Sequence, residues 1–104
     1  MADETRTLIE RVHGLLAIPP RNRVSIEEAL TEGYARALAL EAERRRLEAR
    51  IAELAESLSS PAGAERVSEL AELAGRRSRA DVDLSRLRDA LGSLRRHLAA
   101  AAAI

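Results

Sequence analysis

Apolar residues recur along most of this chain at alternating intervals of three and four, the spacing that lines one face of a helix. Between residues 25 and 58 the series reads Ile26, Leu30, Gly33, Ala37, Leu40, Arg44, Leu47, Ile51, Leu54 and Leu58. Between 61 and 102 it reads Arg66, Leu70, Leu73, Arg77, Ala80, Leu84, Leu87, Leu91, Leu94, Leu98 and Ala101. Each series holds one phase throughout, which predicts an all-α chain built on a long antiparallel helical hairpin of the coiled-coil type. At 1.5 Å per residue the two helices would run roughly 50 and 60 Å.

Breaks in the pattern set the boundaries. An opening segment, 3–17, gathers Leu8, Ile9, Val12, Leu15 and Leu16 on one face and reads as a short helix with Asp3 or Thr7 as its N-cap. Ile18-Pro19-Pro20 ends it, because paired prolines remove donors and push the preceding residue out of helical geometry, leaving 18–24 as a connector. Ser25-Ile26-Glu27-Glu28 reads as a capping box that opens the second helix over 25–58. Ser59-Ser60-Pro61-Ala62-Gly63 marks a turn, and Pro61 suits the first position of a third helix over 61–102 with Ser60 as its cap. Gly75 and Gly92 each weaken that helix by about 1 kcal/mol relative to Ala, and Gly33 is a weak point in the second. The whole chain, 1–104, reads as a single domain.

Folding the chain back at Ala62 brings opposite each other residues whose numbers sum to 124. The layers are then Ile26 with Leu98, Leu30 with Leu94, Gly33 with Leu91, Ala37 with Leu87, Leu40 with Leu84, Arg44 with Ala80, Leu47 with Arg77, Ile51 with Leu73, Leu54 with Leu70, and Leu58 with Arg66. Small residues face large ones, as close packing requires. Two helices sharing one seam still bury little; the short first helix can dock on one end, a point the sequence leaves open. A second copy, or another helical protein, is expected to complete a bundle.

Composition agrees with that architecture. The chain has no Phe, Trp or Cys and one tyrosine, Tyr34, and a third of it is charged, the make-up of long helices. Its 17 acidic and 17 basic residues cancel, which leaves no global field to draw it to nucleic acid or an anionic membrane. Every basic residue is Arg. Arg grips carboxylate and phosphate bidentately, although a GC-rich genome would inflate Arg and Ala together. Without Cys there is no disulfide or thiolate chemistry. No apolar run approaches the roughly 20 residues of a membrane span, and the amino terminus lacks a basic start and hydrophobic core. A cytoplasmic protein without membrane attachment is the expectation.

Catalytic constellations are missing. His13 and His97 lie in separate helices without ligand spacing, so they read as solvated surface residues. The carboxylates sit mainly at i, i+4 spacings such as Glu41 with Arg45 and Glu72 with Arg76, the pattern of helix-face pairs. No glycine-rich phosphate loop occurs. Neither an enzyme, a metal nor a cofactor is expected.

The densest chemistry is an Arg band. In the register above, Arg44, Arg45 and Arg46 come level with Arg76, Arg77 and Arg79, and Arg44 and Arg77 occupy seam positions. Six guanidinium groups there could grip phosphates. The same residues also suit a register device, with the seam arginines reaching outward to Glu41, Glu43, Glu48 and Glu72. Lack of aromatic residues in the patch disfavours nucleic acid.

The stretch Asp81-Val82-Asp83-Leu84-Ser85-Arg86-Leu87-Arg88-Asp89-Ala90-Leu91 carries an acid, Ser four later and Arg three later. It resembles part of the helix-borne motif by which actinobacterial cyclic-di-GMP-responsive anti-sigma factors hold their dinucleotide. The resemblance implies Ser85 and Arg88 as phosphate or guanine contacts. It covers three of five motif positions, Asp81, Ser85 and Arg88. Where the family continues with Gln and Asp, this chain has Gly92 and Arg96, and the other long helix carries no second copy.

Two functional expectations follow. The first is a non-enzymatic protein-protein interaction module: a dimeric adaptor, assembly factor or regulator, with the remaining apolar strip of the first helix recruiting a partner. The second is a regulator that responds to a nucleotide, such as a cyclic dinucleotide, or another polyanion through Arg44, Arg45, Arg76, Arg77, Arg79, Ser85 and Arg88.

Overall fold

The computed structural model describes residues 2–19, 23–58 and 63–102. The chain is all-helical: α1 spans Ala2–Leu16, α2 Arg23–Glu56 and α3 Gly63–Ala102. α2 and α3 lie side by side in opposite directions. Gly33 faces Leu91, Arg44 reaches Asp81, and Arg50 reaches Glu69, so numbers rise on one helix as they fall on the other. Together they make a rod measuring 66 × 18 × 15 Å.

Local chemistry explains the helix ends. α1 begins at Ala2, so Thr7 lies in its second turn and Asp3 is its second residue; neither is the cap expected from the sequence. α2 also begins earlier than expected, at Arg23, which places Ser25 inside the first turn instead of at the non-helical position that a capping box needs. Arg23 explains the extra residues, since its Nε donates to Glu27 Oε1 at 2.9 Å, a favourable i, i+4 pair. At the other end α2 tightens. The amides of Ser57 and Leu58 bond to the carbonyls of Leu54 and Ala55, and Ser57 Oγ donates to Leu54 O at 2.9 Å, satisfying carbonyls that a helix end leaves open. The expected cap at Ser60 and start at Pro61 lie outside the described residues.

Burial follows the two seams, with a break in the middle. The larger cluster holds Val12, Ile26, Ala29, Ala37, Leu40, Leu84, Leu87, Ala90, Leu91 and Leu94, with Leu8, Ile9, Leu15, Leu16, Leu30 and Leu98 packed against it. The smaller holds Leu47, Leu54 and Leu73, supported by Ile51 and Leu70. Between them the seam carries Arg44 and Arg77, and Ala80 is buried. The outermost expected layer opens up, with Leu58 37% exposed.

Gly33 is more than a weak point in the helix. A Cβ there would lie 2.3 Å from Leu91 Cδ2, a separation no real pair of atoms tolerates. Absence of that carbon lets the buried Leu91 enter the α2 backbone surface, the small-against-large layer that the register expects.

α1 docks against α2 and α3 at one end of the rod. Its Val12 is fully buried, and Leu8, Ile9, Leu15 and Leu16 pack on the larger cluster. Arg36 Nε donates to the buried Thr5 Oγ1 at 2.9 Å, and Arg11 pairs with Glu32 at 2.6 Å. At the carboxyl end of α1, His97 Nε2 lies 2.9 Å from Ile18 O. A carbonyl can only accept, so that ring nitrogen carries a proton and donates it. His97 therefore ties α3 to the chain leaving α1 and is not the free surface histidine of the sequence reading, whereas His13 is exposed. Docking takes up much of the apolar strip of α1, with Val12 fully buried and Leu8, Ile9, Leu15 and Leu16 partly buried.

Candidate functional site

The Arg band divides when it is built residue by residue. Consecutive helical residues project about 100° apart, so Arg44, Arg45 and Arg46 cannot converge, and the same holds for Arg76 and Arg77. Arg44, 33% exposed, leans out of the seam to Asp81 at 3.2 Å and to Glu48 at 3.9 Å. Arg77 meets the same Glu48 at 3.1 Å. The two seam arginines thus share a four-residue network with two carboxylates between the core clusters. Arg45 and Arg46 are exposed on other sides of α2.

Asp81, Ser85 and Arg88 do share a stripe of α3. Their acid and base are nonetheless engaged across the helix pair, Asp81 with Arg44 and Arg88 with Glu41, while Ser85 is exposed between them. Glu41 is drawn to Arg88 because its position beside the seam leaves its side chain only partly exposed and facing α3, so it does not make the expected pair with Arg45. The expected pair of Glu72 with Arg76 is likewise not formed. Nearer the far end, Arg50 donates to Glu53 and Glu69, and these hydrogen bonds raise its guanidinium pKa above the ordinary value.

Arg76 and Arg79 turn to the side of the rod on which α1 lies. There, just past the amino end of α1, they join Arg36 and Arg86 in an open groove of about 660 Å³. Glu43 and Asp83 are the acids of its lining, and Leu40, Ala80 and Val82 form its apolar part. The sequence reading missed Arg36, Glu43, Asp83 and Arg86. Their signal was present: residues 36 and 43 on α2 and 76, 79, 83 and 86 on α3 each precede a seam position by one, one step around each helix.

The opposite side of the rod has no third helix. Tyr34 and Leu38 stand 41% and 64% exposed there, in a shallow depression shared with Ala37, Leu91 and Gly92 and rimmed by Glu41, Arg88 and Arg95.

Among the described residues no group of His, Asp and Glu is arranged to hold a metal ion, and no helix is long and apolar enough to cross a membrane. The fold and these surfaces define the class of an all-helical rod with two unlike faces. The chain matches no family model, no curated protein and no solved structure, so function is argued from those faces.

Proposed function

We propose that this protein is a non-enzymatic, cytoplasmic association module: a coiled-coil hairpin, stiffened at one end by α1, that pairs with a second copy of itself as an adaptor, assembly factor or regulator. One observation carries the reading, the exposed Tyr34 and Leu38 on the face that α1 leaves uncovered. Large apolar side chains clustered over a concave floor of Ala37, Leu91 and Gly92 are suited to receive another apolar surface. A two-fold pairing needs a patch that complements itself. The apolar centre, with both charge signs on its rim in Glu41, Arg88 and Arg95, supports such a pairing.

Light scattering over a concentration series tests the reading. A dimer in the parent that becomes a monomer of unchanged helicity in Leu38→Glu supports it. A parent that stays monomeric at every concentration sinks it.

A further inference from the structure

The groove beyond the amino end of α1 concentrates positive charge in a chain whose total charge is zero. Arg36, Arg76, Arg79 and Arg86 line it against Glu43 and Asp83, an excess of two positive charges. Elsewhere along the rod, Arg11, Arg23, Arg44, Arg50, Arg77 and Arg88 each meet a carboxylate. Within the groove Arg36 is held against Thr5 and Glu4. No ion pair among the described residues engages Arg76, Arg79 or Arg86; Arg45 and Arg46 are likewise unpaired, but they diverge on α2, whereas these three line one groove. These three rise at i, i+3 and i+10 from one helix and line the concavity together.

We infer that this groove is a binding site for a small organic phosphate: a phosphomonoester or diphosphate head on an apolar or planar body of about nucleoside size. The head is specified by charge and geometry. A phosphate monoester carries roughly −1.5 to −2 at neutral pH, which matches the excess, and guanidinium groups engage its oxygens in bidentate pairs. The body is specified by the apolar lining of Leu40, Ala80 and the 48% exposed Val82, over which a flat group lies with an arginine plane stacked on it. At about 660 Å³ the space falls in the usual range for small-molecule sites. This site is distinct from Ser85 and Arg88, which lie on the other side of the pair, and it stands whether or not the rod self-associates.

Titration calorimetry at constant ionic strength, with inorganic phosphate, pyrophosphate, AMP and ADP as probes, decides the matter. The expected result is saturable one-to-one binding, tighter for ADP than for pyrophosphate or inorganic phosphate. The double variant Arg76→Ala/Arg79→Ala should weaken ADP by about tenfold or more at unchanged helicity, whereas Arg45→Ala/Arg46→Ala should leave it unchanged. The inference is overturned if no probe saturates up to about 10 mM, if inorganic phosphate binds as well as ADP, or if the two double variants lose affinity equally.

Discussion

Where α1 lies against α2 and α3, ten buried residues form a continuous core; toward the far end, among the described residues, the core is Leu47, Leu54 and Leu73, with Ile51 and Leu70 half covered. The two regions share an alphabet of Leu, Ala, Arg and Glu and the same three-four spacing. What separates them is the fifteen-residue α1. Its Val12, Leu8, Ile9, Leu15 and Leu16 add a third wall, turning a seam into an interior. The lesson is that a heptad repeat specifies direction but not depth of burial; depth depends on what lies outside the pair.

The largest test of this contrast is cavity formation. Leu87→Ala and Leu94→Ala, at fully buried sites in the three-helix half, should lower unfolding free energy by about 3 kcal/mol each in urea titrations. Leu54→Ala and Leu73→Ala should lower it by about half as much, because a site beside solvent relaxes more readily. Equal losses would mean that the far half is covered in solution. Amide exchange sharpens the same comparison. Amides around Leu54 and Leu73 should exchange at least about tenfold faster than those around Leu40 and Leu87, and uniform protection would abolish the distinction.

Smaller effects probe the boundaries of the core. Gly33→Ala should destabilise by about 1 kcal/mol net, since overpacking against Leu91 outweighs the gain in helix propensity. A Cβ on Gly14 meets nothing within 4 Å, so Gly14→Ala should stabilise by about 0.5 to 1 kcal/mol. If both glycines respond alike, the close approach at Leu91 is not real. Arg44→Leu should bridge the two clusters across Ala80 and stabilise by up to about 1 kcal/mol; a loss instead would show that the network with Asp81 and Glu48 holds the register.

Much of this was legible from the sequence, for identifiable reasons. Residues 26 to 58 and 66 to 101 announce helices by phase alone, and Gly33 announces its partner Leu91 because a large side chain needs a small one opposite it. What periodicity cannot supply is the choice of side. Leu8, Ile9, Val12, Leu15 and Leu16 show that α1 has an apolar face, but nothing in them says which side of the helix pair it enters. The Arg band was misread through proximity in number. Arg44, Arg45 and Arg46 are neighbours along the chain and diverge in space, whereas Arg36, Arg79 and Arg86 are far apart in number and line one groove.

Elongation has a practical consequence for anyone weighing this molecule. A globular chain of 104 residues would have a radius of gyration of about 13 Å, yet this one reaches 18.5 Å. That radius belongs to a sphere-like protein of about 270 residues. On a column calibrated with globular standards, a single chain would elute where a dimer or trimer is expected. Its apparent size would counterfeit the self-association at issue, so its stoichiometry must be read from mass and never from elution volume.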